Sequence, residues 1–322
     1  MNSQCPQPNI KPSEGFVHLG FQKLNDKAFK SILTKMGTPL REERPRKCRR
    51  LGEFGKILSI LPREVKYLNV VGNKNIGDAG TEHLHLLPPS VQDLDMSDCG
   101  LTVRGIRNIC EYMKTNTSIT RLIMWGNSIG NEGARHVSDM LLVNKTLRIL
   151  CIMGSKIGPE GFDHISRGLA HNSTLHTIFL GNDQNVGDEH IRRLSKGLAV
   201  NRGLEVLDLA GAGITNKGLE PIEMALRTNY HLKNIWINHP MNEVDKIRLG
   251  PGTTWRKICS WMAMNDLDRK ILLKHEAIST AEWHAILVKC HEARNTNAIS
   301  ICSVASLISY RHLTRKDHEQ EN

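Results

Sequence analysis

No stretch of this 322-residue chain is both apolar enough and long enough to cross a bilayer; the best run, "AISICSVASLIS" at 298–309, is short and interrupted by serine. The opening residues "MNSQCPQPNIKPSEGF" lack the apolar h-region of a secretory signal. The eight cysteines, from Cys5 to Cys302, include no close C-x-x-C pair, and in a chain without an export signal they read as reduced thiols. These absences predict a soluble protein of the cytoplasm or nucleus. Residues 61–240 also lack a net charge of any size, with 19 Lys and Arg against 18 Asp and Glu. The excess behind the overall +10 sits mainly in residues 1–60, with 12 basic against 5 acidic residues, and is densest in "REERPRKCRR" at 41–50. Such a cluster suits a solvated arm, and it is also the kind of segment that contacts nucleic acid or directs nuclear import.

The constellations that catalysis requires are missing too. A nucleophile needs its base within hydrogen-bond reach. The nearest approach to such a pair is Cys151 with His176, which on the strand assignment below stand about three residues apart along the strand axis, roughly 10 Å at about 3.3 Å per residue. His284, Cys290 and His291 fall close together on a predicted helix, but no second ligand pair has zinc-like spacing. "LGPGTTWRK" at 249–257 lacks the Gly-Lys-Ser/Thr ending of a phosphate loop. The sequence predicts no cofactor, no metal and no enzyme.

What the chain does contain is a repeat. Seven segments share the pattern apolar-x-x-apolar-x-apolar: "VKYLNV" (65–70), "VQDLDM" (91–96), "ITRLIM" (119–124), "LRILCI" (147–152), "LHTIFL" (175–180), "LEVLDL" (204–209) and "LKNIWI" (232–237). Successive starts lie 26 to 29 residues apart, and every pattern position is Leu, Ile, Val or Met. After the segment comes Ile-Gly or a similar pair, as at Ile129-Gly130 and Ile157-Gly158, then in most copies a further glycine, then a helical period such as Phe162, Ile165 and Leu169. An asparagine closes five of the units three residues before the next segment: Asn116, Asn144, Asn172, Asn201 and Asn229. Asparagine tolerates the left-handed backbone that ends a helix, so these five are expected to be C-caps.

The unit of strand, loop, helix and cap resembles the leucine-rich repeat, and its length of about 28 residues resembles the ribonuclease-inhibitor subclass. The resemblance implies an α/β solenoid, a horseshoe with a parallel concave sheet and convex helices. It also implies a polar ladder after the strands, at Asn73, Cys99, Asn127, Ser155 and Asp183 (or Asn182), broken at Ala212. Three regions follow: a basic, partly disordered arm at 1–50, the repeats with an N-terminal capping helix at 51–240, and a helical cap or subdomain at 241–322. A further short helix is expected within 17–36. The C-terminal region carries helical patterns at 253–264, 279–293 (opened by the capping box Ser279-x-x-Glu282) and 298–313.

Side chains alternate along a strand, so if the pattern positions face the core, the third and fifth residues face the concave side, with the seventh at the strand's exit. Read down the repeats, these columns are polar at the second repeat and apolar in the middle. Ile123, Trp125, Ile149, Cys151, Met153 and Phe179 fall on consecutive strands and should form one exposed patch, flanked by Asp95 and Asp208, with Arg121 and Arg148 nearer the strand starts. Trp236 lies one strand beyond. An apolar centre with a charged rim has the anatomy of a protein-binding surface, although a terminal segment folded over it would make Trp125 ordinary core. The leading expectation is a non-catalytic module that binds a protein partner on its concave face. Two alternatives stand beside it. One is a GTPase-activating regulator, implied by a resemblance to the Ran GTPase-activating proteins, with Arg104 in a strand-to-helix loop as the catalytic-type arginine. The other is nucleic-acid contact through the basic arm.

Overall fold

The computed structural model describes residues 16–19, 53–183 and 185–237, together with Thr254, Ile258 and Met262. Its strands are β1 (Phe16–His18), β2 (Tyr67–Asn69), β3 (Asp93–Asp95), β4 (Arg121–Ile123), β5 (Ile149–Cys151), β6 (Thr177–Phe179), β7 (Val206–Asp208) and β8 (Asn234–Trp236). From β2 to β8 each strand is the third to fifth residues of one repeated segment. All eight pair in parallel, in sequence order. The registers put like positions side by side, so that Leu122, Leu150, Ile178 and Leu207 form one row. This is the open α/β solenoid that the resemblance implies.

β1 departs from expectation. Residues 17 and 18, assigned from sequence to a helix in the arm, extend the sheet instead: Val17 pairs with Leu68, and Leu19 is buried in the core. The segment departs from the repeat pattern because Glu14 stands where the first apolar residue should be, and it lies nearly two periods upstream of β2. The basic cluster at 41–50 lies outside the described residues.

The helices are α1 (Glu53–Leu58), α2 (Gly77–Thr81), α3 (Val103–Thr115), α4 (Gly130–Val143), α5 (Pro159–His171), α6 (Asp188–Val200) and α7 (Asn216–Leu226). One apolar core runs between them and the sheet. In it the pattern residues of the strands meet the helical stripes, for example Phe162, Ile165 and Leu169 of α5, each at most 1% exposed. α1 falls just before the first repeated segment, where the sequence predicts an N-terminal capping helix, but it stands between β1 and β2, and β1 extends the sheet past it. At the far end Thr254, Ile258 and Met262 are helical, and at this four-residue spacing they share a helix face; Ile258 is fully buried in the same core with Met262 packed against it. The patterns at 279–293 and 298–313 lie outside the described residues.

Turn-to-turn stacking leaves backbone groups at both corners of every repeat that need partners. At the helix-to-strand corner the asparagines supply them, though not as left-handed caps. Asn116, Asn144, Asn172 and Asn201 all have negative φ and extended ψ. The Asn172 amide donates to Leu141 O and Asn144 O of the preceding turn, at 2.8 and 3.2 Å, while its Oδ1 accepts from the N–H groups of Thr174 and Leu175. Asn144, Asn201 and Asn229 repeat this four-bond arrangement.

The strand-exit ladder is shorter. Asn73 donates to Leu19 O and Val70 O, and the Cys99 thiol donates to Val70 O. Asn127 bridges Met96 O and Met124 O and accepts from Cys99 N and Leu101 N. The Ser155 hydroxyl, by contrast, donates within its own turn, to Met153 O, and the Asp183 carboxylate accepts from Asn185. The expected ladder therefore ends at Asn127, three turns before Ala212, because the Ser155 hydroxyl turns to a carbonyl of its own turn.

A third device ties the helices in pairs. Asp78 of α2 accepts from the N–H groups of Thr102 and Gly105 at the start of α3. Asn131 of α4 does the same for Gly158 and Gly161 at the start of α5. Asp188 of α6 accepts from the Thr215 N–H and hydroxyl before α7. Each bond satisfies donors that a helix start leaves open, and places an acceptor at its positive end.

Candidate functional site

The sheet's register brings the apolar concave residues together. Ile123, Cys151 and Phe179 are direct neighbours on β4, β5 and β6, and Ile149 stands between Arg121 and Thr177. With Met153 these fifth-column residues form an apolar cluster separate from the main core, and Trp125 and Ile149 pack against it. Trp125 thus occupies its solvent-side position as the edge of a second apolar cluster, on the face of the sheet turned away from the helices.

The cluster is far less open than the sequence predicts. Ile123, Cys151, Met153 and Phe179 are 7, 0, 5 and 7% exposed, and Trp125 and Ile149 are partly buried. Among the described residues the cluster's side chains pack on one another and on Trp125 and Ile149. Strands about 4.8 Å apart press side chains of one column together, and the Trp236 ring meets Phe179 edge-on with centroids 6.2 Å apart. That contact reaches across β7, since Phe179, Asp208 and Trp236 are neighbours in register, and it lies over the buried Asp208. Trp236 itself remains 41% exposed.

Asp95 and Asp208 are not the open charged rim expected of them. Both are buried, and both turn back on their own strand ends: Asp95 Oδ1 accepts from the Ser97 N–H and hydroxyl, and Asp208 Oδ1 from the Ala210 N–H at 2.7 Å. Asn69 does the same for Val71 and also donates to Asp95. Carboxylates desolvated in this way need such donors. Arg121 lies 3.9 Å from Asp93 with both side chains mostly shielded. Burial pushes the Asp93 carboxyl above its ordinary value, and the Arg121 charge partly offsets that shift. Of the concave-face charges singled out from sequence, Asp95, Asp208, Arg121 and Arg148, only Arg148 is exposed; it donates to Thr174 O at 3.0 Å.

The remaining chemistry stays sparse. Among the described residues no three His, Cys, Asp or Glu side chains gather to hold a metal, and no helix is long and apolar enough to cross a membrane. Cys99, Cys110 and Cys151 are buried free thiols, and burial raises Cys99 to about 12, far from a reactive thiolate. Arg104 lies in the first turn of α3, not in a loop, and is committed to Glu82 at 2.5 Å. The capping trio Asp78, Asn131 and Asp188 lies outside the apolar pattern. Its signal is nonetheless present, as a polar residue directly after the Gly of the Ile/Val-Gly pair in alternate repeats.

Comparison with known proteins gives a consistent result. A family model described as Leucine Rich repeat matches residues 88–110, 115–137 and 200–222. The human protein "NACHT, LRR and PYD domains-containing protein 5" is 33% identical over 85 residues, which is 25% of this chain and 7% of that relative. Among solved structures, leiomodin-1 actin-binding site 2 is similar at 16% identity and a TM-score of 0.42, over 52% of this chain and 95% of that one. The leucine-rich repeat-containing protein LegL7 from Legionella pneumophila is similar at 15% identity and a TM-score of 0.42, over 66% of each chain.

Proposed function

Because the chain is a leucine-rich repeat protein, a class that commonly mediates protein–protein interaction, we propose that it is a non-catalytic binding module receiving a protein partner on the concave face of its sheet. The observation that carries this reading is the apolar cluster on that face, distinct from the core. A concave face with no role beyond solvation would stay polar through the middle, as it is at Asn69, Asp95 and Ser97. Trp125, Ile149 and Trp236 supply the accessible apolar area, and Trp is a residue that interfaces favour as an anchor. The repeat length of 28 to 29 residues in most units supports the ribonuclease-inhibitor-like subclass. The buried free thiols support a reducing compartment, the cytoplasm or nucleus.

The test is affinity capture by the full chain, comparing wild type, Trp125→Ala plus Trp236→Ala, and Arg192→Glu on the exposed face of α6, after their melting curves are shown to agree. Protein partners retained by Arg192→Glu and lost by the tryptophan pair support the reading. Partners that survive loss of both tryptophans refute it.

A further inference from the structure

The near-neutral charge of the repeats conceals an asymmetry between the two edges of the solenoid. At the strand-exit edge the carboxylates have internal work: Asp78 and Asp188 hold helix starts, Asp98 pairs with Lys74, and Asp183 accepts from Asn185. At the strand-start edge several cations have no carboxylate to pair with, although Arg148 donates to Thr174 O and Arg202 to Asn201 O. Lys66, Arg148 and His176 occupy the second repeat position, whose carbonyls accept from the next strand, so they line one row parallel to the sheet's stacking direction. Lys145 and Arg202 follow the ladder asparagines Asn144 and Asn201 at the adjoining corner. All five are exposed, and none forms an ion pair with a described carboxylate. The carboxylates Glu111 and Glu205 at the same edge are paired with Lys114 and Lys233. The row borders Ile149 and the apolar cluster directly.

We propose that this edge receives an acidic protein segment, whose carboxylates lie along Lys145, Arg148 and Arg202 while an apolar residue reaches Ile149 and Trp125. The inference rests on the concave-face reading and names the chemistry of its partner. A row of exposed cations without carboxylate partners among the described residues, beside accessible apolar area, is electrostatically complementary to such a segment and steers its encounter. Nucleic acid fits less well, because single-stranded binding needs aromatic faces interleaved with the cations. Tyr67 beside Lys66 and Tyr230 one corner beyond Arg202 are only partly exposed, and Lys145, Arg148 and Arg202 have no exposed Phe, Tyr or Trp next to them in sequence.

A random peptide display library selected on the full-length chain supplies the probe, and the selected peptides are then synthesised and titrated. The expected result is enrichment of Asp and Glu next to Leu, Phe or Trp, with affinity that falls as salt rises. Lys145→Glu plus Arg148→Glu plus Arg202→Glu should weaken these peptides by at least about tenfold, with an unchanged melting curve, while Arg192→Glu leaves them unaffected. Selected peptides without acidic bias, or with affinity untouched by the charge reversal, overturn the proposal. If such peptides still depend on Trp125, the concave reading stands without this one. If they depend on neither, both fail. A poly-uridine RNA that displaces the peptides overturns it in favour of nucleic acid.

Discussion

The two corners of each repeat face the same problem, and this protein solves it differently at each. Where helix returns to strand, Asn144, Asn172, Asn201 and Asn229 form an unbroken ladder of four-bond asparagines. Where strand leaves for helix, the ladder runs through Asn73, Cys99 and Asn127 and then gives way to Ser155, Asp183 and Ala212. The apolar concave cluster begins at β4, beside the last rung, and extends over the turns that have none. The difference teaches that stacking is secured mainly at one edge through the later repeats, leaving the exit edge of those repeats less constrained by side-chain bonds. That same stretch carries the candidate binding face.

The sharpest way to break this comparison is to remove one rung from each ladder. Asn172→Ala and Asn127→Ala each strip four hydrogen bonds from buried backbone groups, and each should cost about 3–5 kcal/mol in urea unfolding. Equal and small losses would show that the ladders do not hold the turns. Asp188→Ala should cost less, about 1 kcal/mol, as helix-cap substitutions do, because its bonds to Thr215 lie at an exposed corner. Ser155→Ala should cost still less, about 0.5 kcal/mol, since one intra-turn bond is lost and no neighbouring turn is released. A loss as large as that of Asn127→Ala would make Ser155 a rung and extend the exit ladder beyond Asn127.

The smallest effect is a pH dependence at the start of α6. Buried His190 accepts the Gly187 N–H at Nδ1 and meets the edge of Phe162, and burial lowers its pKa below the ordinary 6.5. A histidine with a depressed folded pKa stabilises fully above its unfolded value and loses that contribution as pH falls through the window below 6.5. Stability should therefore drop on acidification through that window, and His190→Asn should flatten the drop. An unchanged slope in the variant would assign it to other groups.

Much of this architecture is legible in the sequence because burial writes it there. The seven apolar triplets fix seven strands and their register, since a slip of one residue would turn the whole set to the wrong face. β1 was hidden by a single polar residue, Glu14, at a pattern position. The ladder asparagines were visible as a period, but their role was not. A repeated Asn reads equally as a left-handed cap or as a bridge, and only the φ angles and the preceding turn's carbonyls separate the two. At the site, adjacency of Ile123, Cys151 and Phe179 follows from register, whereas their burial, and the contact of Trp236 with Phe179 across β7, is not written in a column of outward positions. Asp95 and Asp208 look like rim charges in a column, yet each is two residues before a backbone N–H that can take its carboxylate inward.

The most direct test of the central claim places a photo-crosslinking amino acid at position 125 of the full chain, with a second variant carrying it at position 192 on the opposite side. Illumination in lysate should join position 125 to another protein and position 192 to none or to different ones. Crosslinks from position 125 that stay within the chain would contradict the account and make Trp125 part of a covered interior.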